Sequence, residues 1–145
     1  MPGMTSENTV VPIDFSDLSY AALDRALDIK SGTGRIHVIH VLSALSTMEP
    51  GNLYGTITTE SRIASTKVHL KEKLSGEKYK DVQVHVTIGD AGREIAKFAK
   101  EVEAELVVLS SQGQGFLEHL LVGSVAERVV RLATCPVLVL RSSLA

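Results

Sequence analysis

Gly113 and, ten residues later, Gly123-Ser124 follow an all-apolar run, Leu106-Val107-Val108-Leu109. The chain leaves that run through Ser110-Ser111-Gln112-Gly113-Gln114-Gly115. Ser124-Val125-Ala126-Glu127 has the spacing of a capping box, in which the Ser124 hydroxyl accepts from the Glu127 amide and Glu127 reaches back. A helix start offers free N–H groups and the positive end of the dipole, and together these suit an anion. Glycines without a Cβ let a ligand approach the backbone closely. The same residues also fit a plain capped helix behind a glycine turn, and the local residues leave both readings open. Position favours a ligand. In an open parallel sheet, ligands sit beyond the carboxyl ends of the strands where the strand order reverses. If the first and fourth strands adjoin, Asp14 faces residues 110–113 across that crevice.

Other chemistries find less support. No G-x-x-x-x-G-K-[ST] occurs, which excludes a P-loop. Gly113-Gln114-Gly115 lacks the third glycine of a dinucleotide fingerprint, because Glu118 stands there, and Val41-Leu42-Ser43 ends a strand without an acid for a ribose. His37 and His40 lie three apart on a strand, so they point to opposite faces and share no metal. His69, His85 and His119 are scattered, with no zinc spacing. Asp17 and Glu118 have no spacing that makes them an acid–base pair. Cys135, the single cysteine, precludes an intrachain disulfide and reads as a small buried hydrophobe in a reducing compartment.

Composition narrows the class further. Hydrophobic residues are 44% of the 145, too many for a disordered chain. With 15 basic and 17 acidic side chains the net charge is −2, which gives no footprint for nucleic acid. Residues 1–8 lack the apolar core and basic lead-in of a signal peptide. No apolar run approaches the roughly 20 residues of a membrane span. The expectation is a cytoplasmic protein with neither nucleic-acid nor membrane partners.

The elements that must position these residues are legible from periodicity. Thr9-Val10-Val11-Pro12-Ile13 reads as a short buried strand ending near Pro12. Asp14-Phe15-Ser16 turns the chain, and Ser16 caps a helix to about Lys30, with Tyr20, Leu23 and Leu27 on one face. Gly32 and Gly34 are expected to stop that helix. Residues 35–42 form a second strand, apolar on both faces. Residues 43–59, with Pro50, Gly51 and Gly55, are long and irregular, as functional or mobile segments are. A helix over 60–75 follows, with Ile63, Leu70 and Leu74 in register.

Val82, Val84, Val86 and Ile88 alternate with polar residues as in a half-covered strand. Residues 89–92 turn into a third helix lined by Ile95, Phe98, Ala99 and Val102. The apolar run 106–109 is a fourth strand. A helix over 124–133 and a last strand, 137–140, complete the order. Strand and helix thus alternate four times before a closing strand. That pattern argues for an α/β protein, a doubly wound five-stranded parallel sheet with helices on both faces. Residues 1–145 read as one domain without internal repeats, the first seven flexible.

At this point the residues resemble the universal stress protein family. Its nucleotide-binding members carry G-x2-G-x9-G-[ST] between the fourth strand and the fourth helix. That frame reads here as Ser110-Ser111-Gln112-Gly113, nine residues, then Gly123-Ser124. Val11-Pro12-Ile13-Asp14-Phe15-Ser16, Gly89-Asp90 and Cys135-Pro136-Val137-Leu138-Val139 match family segments too, so the likeness spans Thr9 to Leu140. It implies the adenine nucleotide alpha hydrolase-like fold with strand order 3-2-1-4-5.

The resemblance also implies a nucleotide, ATP or AMP, with Mg²⁺ at the phosphates. Asp14 would lie beside the adenosine and Val41 against the adenine. Gly113, Gly123 and Ser124 would hold phosphates, and Val125 would add an N–H. Pro12, Leu109 and Ser110 complete the binding set. The family pairs through its last strand, which implies a homodimer through Val137–Leu140. One departure stands out: Ser110 occupies the first glycine position. If that position demands positive φ, its Cβ costs about 1 kcal/mol, while its hydroxyl is a candidate donor to the ribose. Gln112 and Gln114 replace the His and basic residue of many relatives, and no Lys or Arg lies between Ser110 and Ala126.

Three function classes follow. The leading one is a stress-response module that binds an adenine nucleotide and acts as a regulatory dimer. The second is a nucleotide-free dimeric interaction module of the same fold, which Ser110 keeps open. The third is a slow ATP hydrolase, for which the sequence offers no placed general base, no catalytic lysine and no arginine near a transferred phosphate. No catalytic residue is assigned.

Overall fold

A computed structural model describes residues 5–44, 58–112 and 122–141. Gly113, Gly115, Glu118, His119 and most of the irregular stretch expected over 43–59 lie outside the described residues. In chain order the elements are β1 (Ser6–Pro12), α1 (Asp17–Ile29), β2 (Lys30–Leu42), α2 (Thr59–Lys73), a 3₁₀ turn (Glu77–Tyr79), β3 (Gln83–Ile88), α3 (Ala91–Glu101), β4 (Leu106–Ser110), α4 (Ser124–Leu132) and β5 (Val137–Leu140). All strand pairs are parallel. The five-stranded order is β3-β2-β1-β4-β5, as the family resemblance implies.

Alternation along the strands builds two cores. Val11, Ile36, Val38 and Val108 face α1 and α2, where Leu23, Ala26 and Leu70 close over them. Val10, Ile39, Val107 and Leu109 face the other way, under Ile95 and Ala99 of α3 and Ala126 and Val129 of α4. The central strands β1 and β4 therefore have no solvated face, which is why their sequences are apolar runs.

One expectation needs correction. Gly32 and Gly34 do not terminate α1, which ends at Ile29 with Lys30 as its C-cap. Both glycines lie inside β2, whose first turns bulge against β1: the register runs Ser6↔Lys30 and then Asn8↔Arg35. Gly34 is needed there for close approach, since a Cβ would meet the Ser6 carbonyl oxygen at 2.7 Å. Glu7 fastens the bulge by accepting from Ser31 Oγ at 2.7 Å and Thr33 Oγ1 at 2.8 Å. Those hydroxyls hold its carboxyl below the ordinary value.

Candidate functional site

Strand order reverses between β1 and β4, and the ends of these strands open a cavity of about 150 Å³. Pro12, Asp14, Val41, Leu109, Ser110, Gly123, Ser124 and Val125 line it. These are the candidate residues of the sequence reading except Gly113, which lies outside the described residues. Ile39 and Ile95 add apolar wall, and Ser111, Gln112 and His40 complete the polar part.

The Asp14 side of the cavity is shaped by a strained turn. Phe15 has φ 67°, a left-handed conformation that costs a bulky residue on the order of 1–2 kcal/mol. Its surroundings hold it there. Asp14 Oδ1 accepts from Ser16 N at 2.9 Å and from Ser16 Oγ at 2.5 Å. The Phe15 ring packs on His40 at 4.6 Å and His69 at 5.0 Å between centroids. Ser16 Oγ also caps α1, accepting from Ser19 N at 3.2 Å. His40 Nδ1 donates to the Ile13 carbonyl at 2.6 Å and so ties β2 to the segment carrying Asp14. Nothing in its sequence neighbourhood marked His40 for this task; only the pairing of β1 with β2 does.

The opposite side begins at the end of β4. Ser110 belongs to the strand and is not among the described positive-φ residues, which outside glycine are Phe15 and Glu103. The steric penalty attached to a serine at this position therefore does not arise. Its hydroxyl donates to the Gln112 carbonyl, so it closes the turn after β4 and its proton is not available to a ribose.

The start of α4 also differs from expectation. Gly123 is the N-cap, with no side-chain cap, and Ser124 is the first helical residue. Glu127 N donates to the Gly123 carbonyl at 2.9 Å, and the Glu127 carboxylate pairs with Arg131. The predicted Ser124–Glu127 box is absent because Gly123 itself is fixed: its N–H donates to the Ser111 carbonyl at 2.5 Å. That tie moves the cap one residue back. It leaves the first turn of α4 without a capping side chain where Ser124 and Val125 meet the cavity.

Positive charge lies nearby, although none occurs in residues 110–126. Arg128 and Arg131 line a groove that shares Ala91, Ser124 and Val125 with the cavity. Each is paired: Arg128 Nη1 with Asp90 Oδ1 at 2.9 Å, Arg131 with Glu127. Asp90 caps α3 by accepting from Arg93 N at 3.0 Å. That amide and the Arg128 guanidinium hold its carboxyl below the usual value. Among the described residues, no group of three or more His, Cys, Asp or Glu could hold a metal ion.

His37 and His40 do face opposite sides of the sheet, and only His40 lines the cavity. His37 meets His85, with Nδ1 and Nε2 3.3 Å apart, and both rings pack on Phe98. The sequence reading treated His85 as isolated; the register of β2 with β3 brings the two together. Burial pushes the Cys135 thiol up, away from the range of a reactive thiolate.

A parallel doubly wound sheet with its cavity at the strand-order reversal defines an α/β protein of the open-sheet class. The chain belongs to the universal stress protein family, whose model matches residues 5–141. Universal stress protein MJ0531 of Methanocaldococcus jannaschii is 32% identical over 137 residues, covering 91% of this chain and 80% of its own. Universal stress protein YxiE of Bacillus subtilis is 32% identical over 144 residues, covering 91% and 97%. Among solved structures, universal stress protein UspA from Lactobacillus plantarum superposes with a TM-score of 0.77 at 23% identity, over 96% of this chain and 100% of that one. A universal stress protein in complex with cAMP does so with 0.67 at 22% identity, over 96% and 99%. At these identities the solved structures share the fold. No described helix is long and apolar enough to cross a membrane.

Proposed function

We propose that this chain binds an adenine nucleotide, ATP or AMP, in the crevice between β1 and β4, and acts as a regulatory homodimer in a cytoplasmic stress response. The observation that carries the reading is the start of α4. Its first turn has no capping side chain and meets the same cavity as Asp14 and Val41. Amides at a helix start are donors aimed at an anion. In this reading Gly123, Ser124 and Val125 take the phosphates, joined by Gly113. Asp14 accepts from a ribose hydroxyl, and the adenine lies on Val41 between Pro12 and Leu109. A Mg²⁺ ion would arrive with the phosphates, held by their oxygens and water. The complex of a family member with cAMP supports an adenine nucleotide as the ligand class.

Calorimetry with ATP and AMP, with and without Mg²⁺, tests this. The expected result is binding at about one nucleotide per chain. No heat with either ligand at millimolar concentration would contradict it. Ser110→Gly distinguishes the nucleotide-free module. Because Ser110 sits in strand backbone without positive φ, the glycine variant should bind within about threefold of the native chain. Binding that appears only in the variant would establish the other reading. A hydrolase would also need a placed general base and a basic side chain on the transferred phosphate; Arg128 and Arg131, which line the adjoining groove, are engaged with Asp90 and Glu127.

A further inference from the structure

Among the described residues, the Ser111 hydroxyl has no hydrogen-bond partner. The residue is 1% exposed and its backbone is fully engaged. Its N–H donates to the Leu140 carbonyl at 2.8 Å, and its carbonyl accepts from Gly123 N at 2.5 Å. Its Oγ, by contrast, is buried without a hydrogen bond. Buried hydroxyls are nearly always satisfied, and leaving one unpaired is destabilising. Three such side-chain atoms occur among the described residues, on Asn8, Tyr20 and Ser111, and of these residues only Ser111 lines the cavity.

We infer that Ser111 is a further ligand-contacting residue, whose hydroxyl donates to a phosphoryl oxygen bound at the start of α4. The inference rests on the nucleotide reading and extends it to a side chain. The hydrogen bond from Gly123 fixes Ser111 beside the uncapped first turn. Hydroxyl and helix amides are all donors there, and converging donors at a helix start select an anion over a neutral group. Ser110 does not supply this contact, since its hydroxyl is bonded to the Gln112 carbonyl. The Ser111 hydroxyl is thus a buried donor that the phosphoryl group satisfies, so stability and affinity should respond oppositely to its removal.

Ser111→Ala tests this by calorimetry with AMP, ATP, adenosine and pyrophosphate, alongside the Tm of the ligand-free protein. The expected result is about tenfold weaker binding of AMP and ATP, unchanged adenosine binding, and a ligand-free Tm equal to or above that of the native chain. An equal loss for adenosine would place the hydroxyl on the ribose and overturn the inference. So would unchanged AMP and ATP affinity, or a lowered ligand-free Tm, which would mark an internal hydrogen bond. If the native chain binds pyrophosphate but no nucleotide, and Ser111→Ala weakens pyrophosphate, the nucleotide reading fails while this one stands. If the native chain binds neither, both fall.

Discussion

At Gly123, φ is −66°, a value open to any residue, yet a Cβ would lie 2.9 Å from the Ser111 carbonyl oxygen. The glycine is therefore required by close approach and not by backbone conformation. Gly123→Ala must push β4 and α4 apart. The expected outcome is a loss of about 1–3 kcal/mol in stability by denaturant titration, with nucleotide affinity falling together with it. A variant as stable and as tight as the native chain would refute that account of the junction. The sequence pointed to Gly123 and Ser124 but attached the wrong cap to them. The S-x-x-E spacing encodes a possible hydrogen bond; the bond that wins joins Gly123 to Ser111, two segments whose pairing depends on the fold. Ser111 and His40 were not legible for the same reason. Their placement depends on partners from other segments, the Gly123 amide at the start of α4 and the Ile13 carbonyl just past β1.

Among the elements, the apolar runs at β1, β4 and β5 and the amphipathic α1 and α3 were readable because burial on one face or two leaves a periodic trace. Glycine punctuation was less dependable. Gly32 and Gly34 read as a helix stop, whereas they serve a bulge whose existence depends on β1 lying alongside. A reciprocal capping box does form, at Thr58 and Ser61 of α2, where the third helical residue is a serine and the usual glutamate signal is missing.

The pairing of β2 with β3 creates an element-scale prediction. Burial first, then His85 and Arg35, lower the pKa of His37 from 6.5; burial first, then Lys67, lower that of His85 from 6.5. With folded-state values depressed, the unfolded chain binds protons first as pH falls below 6.5. Stability should therefore drop on acidification through that window and recover above it. Thermal melts across the window should show a shallower loss for the double variant His37→Leu, His85→Leu. Equal slopes would show that the pair contributes nothing to the pH dependence.

For the whole molecule, the alternation of strand and helix fixes most of the topology once crossovers are right-handed. The strand order itself rested on the family resemblance. It matters because it places β5 at the edge of the sheet, with all four residues only partly buried. An apolar edge of that kind is a template for pairing, and the proposed homodimer would use it. Sedimentation should give twice the 15.6 kDa chain mass, with the amides of β5 protected from exchange; a monomer at micromolar concentration would refute the dimer. The central claim is the nucleotide in the crevice between β1 and β4. Its most direct test is mass spectrometry of small molecules released from freshly purified, undialysed protein. The account predicts ATP or AMP in the released fraction, lost when Gly123→Ala protein is treated alike. Native protein that releases no adenine nucleotide, and takes none up when ATP or AMP is supplied, would contradict it.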